Sequence, residues 1–257
     1  MSQKIKQGEM MWLDNESQEI IKTFWELAGE KETFPRMLER SISLALPVAL
    51  VKLPHLDLHI IENWLLSRNV QYLFDCDNRA VRGCLVAFGG KGIVFVDGTD
   101  TSTELRFTVA HETAHFLIDY WQPRKKSSMK YGVSILEVID GFREPSIDER
   151  VYSIINGTPI GIFTNLMERQ LQSKNIDVWL VENRADKIAI ALLAPPNEVF
   201  REIDIASRSF NERRHEIVSV LISNFGLPDY VALPYGIDLL KSIGKGPSWA
   251  ESIRLAM

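Results

Sequence analysis

The sequence predicts an α+β protein: a small, mostly antiparallel sheet packed on two long helices, with further helices before and after them. Three observations carry that expectation. Short apolar runs rich in β-branched and aromatic residues cluster between Val70 and Asp97, the pattern of strands rather than helices. Two longer stretches, 103–121 and 177–194, repeat their apolar residues at spacings of three and four, as a helix buried along one side requires. Of the 257 residues, 46% are hydrophobic and 25% charged, which is enough apolar mass for a substantial core.

The elements follow in chain order. The first eleven or so residues read as loose. Residues 16–46 read as helix, with Ile20, Phe24, Leu27, Met37, Leu38 and Ile42 as core candidates. LDLHIIENWLLSRN, residues 56–69, is a second helix carrying Leu58, Ile61, Trp64 and Leu65 on its apolar side. VQYLFDCD (70–77) and RGCLVAFGG (82–90) read as strands, and GKGIVFVDGTD (90–100) as a third, joined to the second by a Gly-Gly-Lys-Gly hairpin. Helix 103–121 comes next, then a basic loop, QPRKKSSMKYG, of the kind that is usually only solvated. PSIDERVYSIIN is a short helix with Pro145 and Ser146 at its start. DVWLVENRADKIAIALLAPP is the second long helix, with Asp177 as N-cap, a stripe of Val178, Val181, Ala185, Ile188 and Leu192, and a stop at Pro195-Pro196. Residues 197–225 are helical again, and one or two short helices follow from Leu227 to Met257. The expected organisation is an N-terminal helical extension (1–50), a central domain (51–197) and a C-terminal helical segment packed on it (198–257).

Composition excludes several classes. A net charge of −5 gives no bulk electrostatic case for nucleic acid. Residues 218–240 have a helix, glycine turn, helix rhythm, but Pro228 and Pro234 interrupt it and basic residues are few, so it reads as structural packing and not as a DNA reader. Cys76 and Cys84 are the only cysteines, too few for a disulfide framework or a cysteine-based zinc site, and they read as two reduced thiols. No apolar run reaches the ~18 residues of a membrane span. The start of the chain lacks the apolar core of a signal peptide, so the expected compartment is the cytoplasm. Sequence alone leaves the oligomeric state open.

The chemistry concentrates in RFTVAHETAHFLIDYW, residues 106–121. A helix turns ~100° per residue, so His111 and His115 project as neighbours from one face and can close on a single ion. Glu112 stands beside them, where a carboxylate can reach a metal-activated water without being forced to ligate the metal. Phe107, Ala110, Ala114, Leu117, Ile118 and Trp121 form an apolar stripe opposite, so the helix is expected to be amphipathic, its polar face toward a cleft. With five histidines in the chain, an accidental His-Glu-x-x-His is expected in fewer than about one such chain in a hundred, which favours a metal site. The second pair, His55 and His59, has no glutamate between its members and reads as a surface pair.

Catalytic zinc usually takes three protein ligands, and no third histidine follows at a suitable spacing. Glu182 and Asp186, four apart on the second long helix, and Asp119, four past His115, all remain candidates from spacing. Asp119 suits a supporting role on an imidazole equally well.

The run GCLVAFGGKGIVFVDGTDTSTELRFTVAHETAHFLI resembles the ImmA/IrrE family of zinc metallopeptidases. A glycine-led strand and a second apolar strand precede Arg106, Phe107, Thr108, Ala110, His111, Glu112 and His115. A second motif matches at Glu182, Ala185, Asp186, Ala189, Leu192, Leu193 and Pro195. The resemblance covers residues 58–197. It implies a zincin-like fold, a Zn2+ ion on His111, His115 and Glu182, Glu112 as the catalytic base, Asp186 in a supporting role, and a protein substrate, a helix-turn-helix repressor in relatives. Two departures stand out. The second motif has Ile188 where the family has an aromatic, and the stretch between the motifs is longer than usual, so 122–176 reads partly as an insertion near the cleft. Three functions follow as expectations: an endopeptidase acting on a repressor, a zinc-binding regulatory module that binds a partner without cutting it, or a zinc hydrolase of another substrate. For the donor that stabilises the oxyanion, Tyr120, Tyr131, Arg106 and His215 are candidates, Arg106 reading more readily as a structural ion-pair residue.

Overall fold

A computed structural model describes residues 12–169, 176–204 and 209–248. The predictions for the first eleven residues and for the end of the chain from 249 lie outside the described residues.

The sheet forms the middle layer. Its strands are β1 (Val48–Leu53), β2 (Val81–Phe88), β3 (Lys91–Asp97) and β4 (Phe163–Glu168), in the order β1-β3-β2-β4. β1 pairs with β3 in parallel, while β3–β2 and β2–β4 are antiparallel. The expected hairpin is present: β2 and β3 join through Gly89 and Gly90, both at positive φ, as a tight two-residue turn demands. VQYLFDCD is not a strand. The sheet draws instead on 48–53, ahead of it, and on 163–168, inside the expected insertion. β4 is half-buried along its whole length, so it has no clean alternation to show in sequence.

Alternate strand residues face two layers. Val81, Cys84, Val86 and Phe95 pack against Leu58, Ile61 and Leu65 of a helix spanning Leu58–Leu66. Leu85, Ala87, Val94 and Val96 face the main core. That core holds side chains from Ile20 through Leu240, so all three expected segments contribute to one apolar cluster.

The predicted helix 16–46 is two helices, α1 (Asn15–Ala28) and α2 (Glu39–Ala45); the helix over Leu58–Leu66 is α3. Gly29 leaves α1 at φ 84° and Leu38 enters α2 in the left-handed region, which breaks the helical path. Leu27 and Met37, expected in the core, are exposed, whereas Ile20, Phe24, Leu38 and Ile42 are buried.

The motif helix α4 spans Ser102–His115 and starts on a capping box between Thr101 and Glu104. It continues as a π-helical turn over Phe116–Trp121, closed by the Gln122 N–H reaching Leu117 O. The expected basic loop is helix α5 (Gln122–Tyr131) with Pro123 in its first turn. Helices α6 (Ile135–Ile139) and α7 (Ile147–Asn156) follow. The second long helix, α8, spans Ile176–Leu193. Asp177 lies within its first turn and is not its cap. Its core stripe starts late: Ala185, Ile188 and Leu192 are buried, but Val178 and Val181 are exposed. After Pro195 come α9 (Pro196–Val199), α10 (Phe210–Ser223) and α11 (Asp229–Ser242).

The motif helix is also less amphipathic in its setting than expected. Every residue from Arg106 to His115 is buried, because α4 lies between the sheet and α8. Two glycines allow the approach. A Cβ on Gly83 of β2 would stand 2.5 Å from Thr108 Cγ2 and 3.0 Å from Glu112 Oε1, and one on Gly92 of β3 would stand 2.8 Å from the Phe116 ring.

Asp97 at the end of β3 ties the sheet to the chain around it. Its carboxylate accepts from the backbone N–H groups of His55, Leu56 and Thr99, from the Thr99 hydroxyl and from Arg169. Burial alone would raise its pKa, but these donors outweigh burial and hold it below the usual value. Its contribution is therefore complete above the unfolded carboxylate pKa of ~3.9 and is lost as pH falls through the lower folded value. Asp97→Ala is expected to cost about 3–5 kcal/mol in urea unfolding at neutral pH and to flatten the stability loss below about pH 4. An Asp97→Ala protein with wild-type stability would contradict this account.

Candidate metal centre

His111 and His115 sit one turn apart on the last half of α4 and turn their Nε2 atoms to each other, 3.1 Å apart. Glu182 on α8 closes the triangle, with Oε2 3.2 Å from His111 Nε2 and Oε1 3.6 Å from His115 Nε2. All three ligand atoms lie within 4.8 Å of one another. A tetrahedral donor set ~2.1 Å from a zinc ion has its donors ~3.4 Å apart, so the three fit one ion with shifts of a few tenths of an ångström. The group can hold a metal ion, and it is the group of three suitable donors found among the described residues.

The remaining imidazole nitrogens are held from outside. His111 Nδ1 lies 2.8 Å from Asp186 Oδ1, and His115 Nδ1 lies 2.7 Å from Asp119 Oδ2. Each carboxylate accepts the Nδ1–H and so leaves the Nε2 lone pair facing the triangle. Arg184 then donates to the other oxygen of Asp119 at 2.7 Å. Of the three acids left open by spacing, Glu182 joins the histidines, and Asp119 and Asp186 support them. The π-helical turn carries Asp119, and such turns recur at functional sites.

The electrostatics call for a cation. Burial works against charge on His111, but Asp186 and Glu182 outweigh it and push its pKa up to about 10. For Glu182, burial is outweighed by the two histidines, which bring it down to about 2. His115 is likewise raised, against its burial, by Asp119 and Glu182. A divalent ion answers the same demand and would displace these protons on binding.

Glu112 follows His111 on α4 and is fully buried, its carboxylate close to Gly83 of β2 and to the Asn165 amide. Burial raises its pKa, while His111, His115 and the Asn165 amide draw it back. Asn165 belongs to β4, so the expected insertion places a polar side chain beside the glutamate. Solvent reaches the centre along α8: the side chains of Glu182 and Asp186 are 25% and 45% exposed.

The supporting acids give a graded test. Asp119 is only 13% exposed and itself braced by Arg184, whereas Asp186 is open enough for water to replace it. Asp119→Ala is expected to weaken metal binding ~100-fold and Asp186→Ala ~10-fold, measured by competition with a chromogenic chelator. Equal affinity in both variants and wild type would mean that these contacts do not orient the imidazoles.

The other expected site residues lie elsewhere. Tyr120 is buried and its hydroxyl accepts from Gly90 N–H. The Tyr131 hydroxyl donates to Asp148 O at 3.4 Å, and His215 is exposed on α10. Arg106 is buried and donates to Gly226 O and toward Met37 Sδ, a structural role in which no ion pair is seen among the described residues. None of the four meets the metal group. His55 and His59 are both exposed, and both cysteines are free thiols. No described helix is long and apolar enough to cross a membrane. Arg184, Asn165 and Gly83 border the centre and carry no local sequence signal of it, apart from the glycine at the head of its strand.

Compared with protein-family models, curated proteins and solved structures, the chain matches none.

Proposed function

We propose that the chain is a zinc-dependent endopeptidase of the ImmA/IrrE type, with the zincin-like arrangement of motif helix, sheet and glutamate-bearing helix. The observation that carries the reading is Glu112: a fully buried glutamate, next in sequence to His111, with only the Asn165 amide as a polar neighbour outside the His111, His115 and Glu182 group. Burying a carboxylate is costly, and a module that only binds metal has no use for it.

Zinc on His111, His115 and Glu182 would polarise the scissile carbonyl and lower the pKa of water from ~15.7 toward about 7. The protein's own part is proton handling and alignment. Glu112 accepts the proton as water attacks and delivers it to the departing amine. Asp119 and Asp186 hold the imidazoles in the tautomer that keeps Nε2 inward. β4 ends the sheet, and its outer edge is suited to receive an extended peptide by backbone pairing beside Asn165. The sequence resemblance, and not the geometry, supplies the choice of substrate: a separate helix-turn-helix repressor in the cytoplasm.

The test is incubation of the zinc-loaded protein with candidate repressors, followed by mass spectrometry of the products. A single cut that disappears with chelation supports the reading. Tight zinc binding with no cleavage of any protein, and stable complexes instead, would shift it to the regulatory module; turnover of a non-peptide amide or ester alone would shift it to another zinc hydrolase.

A further inference from the structure

The two carboxylates behind the histidines are held differently. Asp119 uses both oxygens: Oδ2 accepts the His115 Nδ1–H at 2.7 Å, and Oδ1 accepts an N–H of Arg184 at 2.7 Å. Asp186 meets His111 through Oδ1 and is far more open to water, 45% exposed against 13%. A carboxylate with one partner can rotate about its last bond and lose its aim. A charge-assisted donor on the second oxygen fixes its plane. Arg184 comes from α8, two residues past the ligand Glu182. The same helix therefore supplies one donor to the ion and braces the acid behind another. The Arg184 side chain is itself 36% exposed, so its guanidinium reaches Asp119 from the solvent side of the centre.

We propose that Arg184 is a positioning residue of the metal centre: it fixes the Asp119 carboxylate, and through it the His115 imidazole, so that Nε2 stays aimed at the ion. This rests on the zinc-peptidase reading and adds to its ligand set a contact two steps from the metal. Two effects of Arg184 oppose each other. As a cation it repels a divalent ion, and charge alone predicts that its removal tightens zinc binding. As a brace it keeps a ligand in place, and its removal then weakens binding. Water around the partly exposed guanidinium screens the repulsion, whereas a lost contact behind a metal-bound histidine typically costs ~10–100-fold in affinity. Orientation outweighs charge.

The test is the zinc affinity of the full chain, by competition with a chromogenic chelator, for wild type, Arg184→Met, Asp119→Ala and the double variant. Methionine keeps an unbranched stem and a helix propensity close to that of arginine, and melting temperatures in excess chelator should match across the Arg184 pair. Arg184→Met is expected to weaken zinc about tenfold in the wild-type background, the low end of the range for such contacts. In the Asp119→Ala background no carboxylate is left to orient and only the repulsion remains, so the same substitution should leave affinity unchanged or tighten it. That reversal separates a brace from mere packing, whose effect would be the same in both backgrounds. An Arg184→Met protein that binds zinc as well as wild type or better, or one whose loss is equal with and without Asp119, would overturn the inference and leave the peptidase reading standing. A wild-type chain that takes up no zinc would overturn both.

Discussion

Glu112→Gln is expected to keep its metal and to lose peptide hydrolysis by ~10²–10⁴-fold or more, the loss typical of a missing general base. The substitution preserves shape and removes the ability to accept a proton. It also removes a carboxylate whose burial works against its charge, so it should fold at least as well as wild type. Two controls isolate the effect: metal content by elemental analysis and melting temperature by calorimetry should match wild type or exceed it. The Gly83 contact adds a geometric check. Because a Cβ there would stand 3.0 Å from Glu112 Oε1, Gly83→Ala should depress activity while leaving all four site residues in the sequence. A Glu112→Gln protein that cuts near the wild-type rate would remove the proposed mechanism.

Removing a ligand should act on the metal itself. One ion per chain is expected from one complete donor set. His111→Ala, His115→Ala and Glu182→Ala should each drop the metal well below one equivalent, a larger effect than the ~10–100-fold of a supporting contact. The two histidine variants carry a second consequence. Without His111, Asp186 loses its 2.8 Å partner, and without His115, Asp119 loses its 2.7 Å partner. Glu182→Ala removes a carboxylate that faces water in part and leaves those pairs intact, which makes it the cleaner variant. A zinc-bound crystal structure should place a Glu182 oxygen ~2.0–2.2 Å from the ion. Full metal content in all three variants would place the site elsewhere.

Much of the centre was legible because its signals are local. Two histidines four apart on a helix, with a glutamate between them, state their geometry through the helical period alone. The second long helix announced itself by its apolar spacing and its proline stop, and the β2–β3 hairpin by its glycines. The third ligand was not legible in this way. Spacing left Glu182, Asp186 and Asp119 open, since each lies within reach of the histidines on some packing of the two helices, and the resemblance was needed to favour Glu182.

What the sequence by itself determined is therefore the local part: the α+β class, the paired imidazoles, the adjacent glutamate and the existence of a second long helix carrying Glu182 and Asp186. What only the tertiary structure decided is everything that depends on distant segments meeting. β1 and β4 were missed because neither alternates cleanly: β1 mixes buried, half-buried and exposed residues out of period and β4 is half-buried throughout. The motif helix was expected to show a polar face to a cleft, yet it is buried all round, because Gly83 and Gly92 let the sheet close on one side and α8 covers the other. Arg184 and Asn165 lie about 50–75 residues from the histidines in sequence. Their roles come from the packing of α8 and β4 on α4 and the sheet, and no periodicity along the chain encodes a contact made between elements that far apart.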